Sequence, residues 1–184
     1  MARDIEVNPL AGRYKDGWSP HRVLTTVYKS YPELPIRGGW GYSKEDAVII
    51  DRMHPAAANF HPFNGVEIEY IFVKLRMYEE LIGMAPLGQQ HSGCRYSTRE
   101  QQLMDGEAGK LYDVLICDLT ALPDDVFEEL KAIWEGPDGF RSPSFDVEAH
   151  QHKHELATVH YVREYWFEIS SFFGERTGNR DGGS

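Results

Sequence analysis

The sequence has little cysteine, no long apolar run and no excess of basic charge, and each absence excludes a class of protein. Two cysteines, Cys94 and Cys117, are too few for the disulfide framework of a small secreted domain. No apolar stretch is long enough to span a bilayer. Charged residues stand near the N-terminus, where a signal peptide needs an apolar run. We therefore expect a cytoplasmic protein without membrane association, whose two cysteines are ordinary small core residues.

Basic charge is scarce relative to acidic charge. The chain carries 19 Lys and Arg residues against 29 Asp and Glu residues, for a net charge of −10. Nucleic-acid-binding proteins usually present a basic face that neutralises phosphates, so we expect no nucleic-acid partner. A negative surface suits solubility, or the docking of a basic protein.

Several catalytic motifs are also missing. The chain has no Gly-x-Ser-x-Gly and no His-Glu-x-x-His, and its glycine-rich segment lacks the Gly-Lys-Ser/Thr ending of a phosphate-binding loop. These absences disfavour a serine hydrolase of the elbow type, a metalloprotease of that motif and a P-loop nucleotide-binding protein. The sequence does not decide whether the chain is an enzyme, and it does not indicate an oligomeric state.

What is present is the composition of a globular domain. The chain has 184 residues, of which 41% are hydrophobic, and a chain of this size can bury a sizeable core. No Pro/Gly/Ser-rich linker divides it. We predict one domain over residues 1–176, followed by a flexible polar tail over residues 177–184.

Strand signals occur at five places along the chain. Residues 94–103 and 111–120 flank a turn-rich segment and predict a β-hairpin. Residues 156–169 alternate apolar and polar side chains, which is typical of a strand with one buried face. Shorter β-branched or apolar runs predict strands at residues 23–28 and 47–51.

Helix signals occur at two places. Asn64 and Glu67 match an N-cap and its N3 partner, and apolar residues then recur at helical spacing to residue 83. The first part of residues 66–83 also alternates like a strand, so strand plus helix stays open. On the helical interpretation, Glu69, Arg76 and Glu80 would form the solvent-exposed face. A second helix is expected after Pro123. Together these elements predict an α+β fold, an antiparallel β-sheet with two or so helices packed on it.

The segment from residue 146 to residue 154 is rich in metal-binding side chains. Imidazoles and carboxylates are the usual ligands of zinc and similar divalent ions. A strand would place five of these side chains on one face, namely those of Asp146, Glu148, His150, His152 and His154. A helix would align His150 with His154. A further ligand would have to come from elsewhere, with His54, His61, His91 and His160 as candidates. The predicted metal ligands are His150, His152 and His154, with Asp146 and Glu148 as ligand or general base.

A glycine-rich aromatic segment over residues 37–43 is a second candidate site. Glycines let a backbone approach a ligand closely, and neighbouring aromatic rings can stack on it. Arg37, Trp40 and Tyr42 are therefore candidate ligand-binding residues. The alternative is that the glycines satisfy turns while the aromatic side chains pack on the sheet.

Two functional hypotheses follow from these features. The first is a small acidic, non-enzymatic binding protein, of the inhibitor or immunity type, that docks a protein partner through its acidic surface and exposed aromatic side chains. The second is a divalent-metal-dependent hydrolase or lyase that uses His150, His152 and His154.

Overall fold

The computed structural model of the chain describes residues 19–85 and 88–173. In these ranges the helices are α1 (Pro20–Val27), α2 (Gly65–Tyr78), α3 (Asp124–Glu135) and α4 (Val147–Ala157). The strands are β1 (Ile36–Gly38), β2 (Val48–Ile50), β3 (His91–Asp105), β4 (Leu111–Pro123) and β5 (Val159–Glu168). The tail predicted over residues 177–184 lies outside the described residues.

The five strands form one sheet in the order β1-β2-β5-β4-β3. Strands β1 and β2 are antiparallel, whereas β2 runs parallel to β5 with Val48 opposite Phe167. The α+β fold class is confirmed. The sheet is therefore mixed and not wholly antiparallel as predicted. Three helices and a hairpin lie between β2 and β5 in the chain, and amino-acid composition does not show whether strands joined by so long a connection run parallel or antiparallel.

The described residues divide into two compact units whose segments alternate along the chain. Unit 1 contains residues 74–99 and 116–163, and unit 2 contains residues 19–73, 100–115 and 164–173. The single domain predicted over residues 1–176 stays a prediction. In the described part of the chain, no helix combines the length and apolarity needed to cross a membrane.

Helix α1 replaces the strand that the sequence predicted over residues 23–28. The Ser19 side chain accepts a hydrogen bond from the Arg22 amide, and Pro20 occupies the first turn. This N-cap and proline pair is a strong helix start, and it outweighs the β-branched composition that follows. The hydroxyls of Thr25 and Thr26 donate to the carbonyls four residues earlier, so both residues fit within the helix.

Helix α2 resolves the ambiguity over residues 66–83 in favour of a helix. The Asn64 side chain accepts a hydrogen bond from the Glu67 amide at 3.3 Å, as the N-cap signature predicted. One turn of π-helix, Glu79–Gly83, continues from Tyr78. The predicted solvent-exposed face is wrong: Glu69, Arg76 and Glu80 are all buried. Helix α2 is covered on its polar side as well as on its apolar side.

The remaining strong signals agree with the structure. Strands β3 and β4 form the predicted hairpin, and α3 follows Pro123. Strand β5 buries Tyr161, Tyr165 and Phe167, as the alternation predicted, although residues 156 and 157 of the predicted strand belong to α4.

The two cysteines are free thiols. Cys117 is fully buried, as expected of a core residue, and Cys94 is half-buried. Burial raises the pKa of both thiols to about 11. Since the thiolate is the nucleophile, neither cysteine is poised for catalysis.

Candidate functional site

An open cleft of about 740 Å³ lies within unit 1, between helices α3 and α4. Apolar side chains line it: Leu122 of β4 and Phe127, Leu130 and Trp134 of α3. His150 and His154 of α4 line it as well. We call this feature, lined by Leu122, Phe127, Leu130, Trp134, His150 and His154, the α3–α4 cleft.

Helix α3 presents its apolar stripe to the cleft because of its sequence spacing. Phe127, Leu130 and Trp134 lie three, then four, residues apart and so share one face. Asp124 and Asp125 stand in the first turn, where the helix dipole favours negative charge. Asp124 also accepts a hydrogen bond from the Ser92 hydroxyl at 2.6 Å, which fixes the start of the helix.

Helix α4 carries the histidine run, and its backbone separates the three histidines. His150 and His154 are one turn apart and both line the α3–α4 cleft. The His150 ring packs on Trp134, with centroids 5.3 Å apart, and on Phe145 at 5.4 Å. His152 lies about 200° around the helix from His150, since each residue advances by roughly 100°. The helix therefore brings two of the three predicted ligands together and directs the third elsewhere.

The predicted carboxylates on this segment do not join the histidines. Asp146 is the N-cap of α4, where its side chain accepts a hydrogen bond from the Ala149 amide at 2.9 Å. Glu148 is exposed in the first turn. The proposal that Asp146, Glu148 and the three histidines form a metal or catalytic site stays a prediction.

Exposed apolar side chains are frequent on α3, on α4 and on the segment between them. Trp134 stacks on Phe140, with ring centroids 4.9 Å apart and planes inclined by 10°, and the guanidinium of Arg141 covers the Phe140 ring. The large apolar side chains exposed on α3, on α4 and on the segment between them are Ile133, Trp134, Phe140, Val147 and Leu156. A concentration of this kind on one helix pair is typical of an interaction surface.

Negative charge is concentrated on the same two helices and the segment between them. Residues 124–155 contain nine acidic and three basic side chains, which amounts to six of the ten net negative charges of the chain. The lining of the cleft itself contains two acidic side chains, Glu135 and Glu155, and two basic ones, Arg95 and Lys131. The surroundings are therefore acidic, while the rim offers partners for charges of both signs.

A different cluster has the spacing of a metal site. Within the described ranges, the only group of three or more His, Cys, Asp or Glu side chains whose ligand atoms all lie within 4.8 Å of one another is His21, Glu33 and His54. Sequence reasoning proposed His54 as a remote ligand of the histidine run and missed the other two. The three residues come from separate segments, and no short motif marks them.

The glycine-rich segment packs against its own chain. Gly38 and Gly41 both have φ of +85°, and a side chain on Gly39 would collide with the Asp46 backbone. Arg37 pairs with buried Asp51 at 2.7 Å. Trp40 and Tyr42 are half-buried. These contacts account for the glycines, and ligand binding by Arg37, Trp40 and Tyr42 stays a prediction.

Two buried carboxyl groups, Glu69 and Asp113, meet within unit 2. Burial first, then the nearby Asp113, raises the pKa of Glu69 to about 8. Burial likewise raises the pKa of Asp113, while a hydrogen bond from the Gln101 amide opposes the shift. Glu69 is 1% exposed and Asp113 is 6% exposed, so the pair belongs to the interior and not to a surface site.

Comparisons of the chain with protein-family models, with curated proteins and with solved structures gave no match.

Proposed function

We propose that this chain is an acidic binding protein whose α3–α4 cleft docks a basic, amphipathic helix of a protein partner. One observation carries the proposal: α3, α4 and the segment between them combine an open apolar cleft, five exposed large apolar side chains and six of the ten net negative charges. Docking of an amphipathic helix into an apolar groove is a common mode of peptide recognition.

The apolar part of the surface supports affinity. Trp134 is 39% exposed, Phe140 46% and Leu156 75%. Burying apolar surface contributes about 25 cal/mol per Å² before the costs of association. Tryptophan in a pocket is a frequent hot spot of protein interfaces. Trp134 lines the cleft and packs against Phe140 and Phe145, so it is the expected anchor.

The charged part of the surface supports the choice of partner. Nine acidic side chains over residues 124–155 favour the approach of a positively charged segment. Exposed apolar side chains extend beyond the cleft to Phe140, Val147 and Leu156, which suits a helix better than a small molecule. Salt should weaken such a complex, because it screens exposed charges.

The alternative of a metal-dependent hydrolase or lyase at the histidine run has less support. Helix α4 aligns only His150 with His154, and the Asp146 carboxylate is engaged in capping the helix. In the part of the chain that the structure describes, no third His, Cys, Asp or Glu joins that pair within coordinating distance.

Two synthetic peptides test the proposal. Both have leucines at helical spacing, and their polar face carries either lysine or glutamate. Each is labelled and titrated with the full chain, and binding is followed by fluorescence anisotropy at low and high salt. The proposal predicts that only the lysine peptide binds and that its affinity falls with salt. Equal affinities for the two peptides, or no binding of the lysine peptide at low salt, would contradict it.

A further inference from the structure

We propose that His21, Glu33 and His54 form a binding site for zinc or a similar first-row divalent ion. Each side chain offers one ligand atom, and the three atoms lie within 4.8 Å of one another. His21 Nε2 is 2.9 Å from Glu33 Oε1, and the His21 and His54 ring centroids are 5.2 Å apart. All three residues belong to unit 2. We call them the His21 site.

The ligand set selects the class of ion. Two imidazoles and one carboxylate suit zinc and its first-row neighbours, whereas calcium and magnesium prefer oxygen ligands. Ligands placed 2.0–2.1 Å from a tetrahedral ion are about 3.3 Å apart. The ligand atoms already lie within 4.8 Å of one another, so each separation would have to change by about 1.5 Å at most to match this geometry. Three protein ligands leave a fourth position for water, and the partial exposure of all three side chains lets water reach it.

Local structure holds each ligand in place. His21 lies in the first turn of α1, which Ser19 caps. The carbonyl of Glu33 accepts a hydrogen bond from the Asn59 side chain at 3.1 Å. His54 precedes the 3₁₀-helix Pro55–Asn59, and its own amide donates to the Asp51 carbonyl. The ligands are therefore anchored by the backbone around them, which reduces the entropy lost when an ion binds.

Metal binding has a defined cost at His54. Its Nδ1 accepts a hydrogen bond from the Ala56 amide at 3.1 Å, so this nitrogen presents a lone pair. Coordination through Nε2 would move the ring proton to Nδ1, and coordination through Nδ1 would use that lone pair. Either way the bond to Ala56 is lost. An ion must therefore displace the hydrogen bond from the Ala56 amide to His54 and the His21–Glu33 contact. A shift of the Ala56 amide resonance is accordingly a specific signature of ion binding at this site.

The test uses the full chain after treatment with a chelator. Cobalt(II) alone is added while the visible absorption is recorded, and zinc affinity is then measured by competition with a chromophoric chelator. One ion per chain, with the intense absorption of tetrahedral cobalt, is expected. The Ala56 amide resonance should move on addition of zinc.

Three variants locate the ion. Loss of a group that only hydrogen-bonds to a metal ligand typically lowers metal affinity by about 10- to 100-fold. Changing a ligand itself, as in His21→Ala or Glu33→Gln, should therefore weaken zinc binding by roughly tenfold or more. The His150→Ala, His154→Ala double variant should bind zinc like the unchanged protein. Melting curves of the metal-free variants show whether each variant is folded. If His21→Ala does not fold, Glu33→Gln still tests the site, because glutamine keeps the size of the glutamate side chain.

Three results would overturn the proposal. The first is an absence of zinc binding by the unchanged chain. The second is unchanged affinity in both His21→Ala and Glu33→Gln. The third is loss of binding in the His150→Ala, His154→Ala protein alone, which would assign the ion to α4. The first two results do not bear on peptide docking at the α3–α4 cleft, so the two proposals can fail separately. The third result would instead favour the alternative of a metal site at the histidine run, because His150 and His154 line that cleft.

Discussion

Glu69 of α2 and Asp113 of β4 hold two carboxyl groups against each other in the interior of unit 2. When the pair holds one proton, the protonated carboxyl group can donate a hydrogen bond to the other carboxyl group. Without that proton, Glu69 Oε2 and Asp113 Oδ1 have no donor among the described residues. Two negative charges would then lie buried side by side, which is strongly unfavourable. The pair therefore carries a proton near neutral pH, held chiefly by Glu69.

The pH dependence of stability should report this proton. Because the folded pKa of Glu69 is raised from 4.5 to about 8, the folded protein keeps a proton that the unfolded chain loses. The free energy of unfolding should therefore fall as pH rises between these values, by up to a few kcal/mol. The Glu69→Gln variant should lose most of this dependence, since its amide replaces the protonated carboxyl and donates to Asp113.

Urea unfolding at a series of pH values measures the effect. Glu67→Gln is the matched control, because Glu67 lies on the same helix but is exposed. Its stability should follow that of the unchanged protein at each pH. A Glu69→Gln protein that is as sensitive to alkaline pH as the unchanged chain would refute the shared proton.

A buried ion pair should contribute more than an exposed one in unit 1. Arg163 Nε donates to Glu80 Oε2 at 2.8 Å, and the two side chains are only 13% and 2% exposed. Arg163→Met removes this partner from a buried carboxylate and should cost roughly 3 kcal/mol. Lys153→Met removes the exposed pair with Glu129 and should cost about 1 kcal/mol or less. Chemical denaturation of both variants checks the order, and equal losses would contradict it.

The glycine-rich segment offers a test of its structural role. A Cβ on Gly39 would collide with the Asp46 carbonyl oxygen, and because this is a backbone atom no side-chain rotation relieves the contact. Gly39→Ala should therefore lower the midpoint of thermal unfolding by several degrees, as a loss of about 2 kcal/mol would. Gly83→Ala is the control, because its Cβ would meet only the Glu79 side chain at 3.9 Å. A Gly39→Ala protein as stable as Gly83→Ala would contradict the close approach.

The sequence predicted the elements whose periodicity and end signals agree. The β3–β4 hairpin, α3 after Pro123 and the alternation of β5 follow from local patterns alone. Helix α1 was missed because its β-branched residues favour a strand, while the deciding signal is the Ser19 cap before Pro20. The parallel pairing of β2 with β5 depends on contacts between residues far apart in the chain, which no local pattern contains.

The candidate sites were less predictable for a physical reason. A run of histidines is visible in sequence, but only the backbone shows that α4 separates His152 from His150. The His21 site joins three segments that fold together, and its residues carry no motif. Glu69 was assigned to a solvent-exposed face because helical spacing identifies faces of α2 without showing what covers them.

The most direct test of the docking proposal is the affinity of the lysine peptide for Trp134→Ala beside its control, Val27→Ala. Val27 is an exposed apolar residue of unit 2, and its side chain does not line the α3–α4 cleft. Loss of the Trp134 anchor should weaken binding by roughly tenfold or more, equivalent to about 1.4 kcal/mol, while the Val27→Ala protein keeps its affinity. Circular dichroism confirms that both variants are folded. Unchanged affinity in a folded Trp134→Ala protein would contradict docking at the α3–α4 cleft.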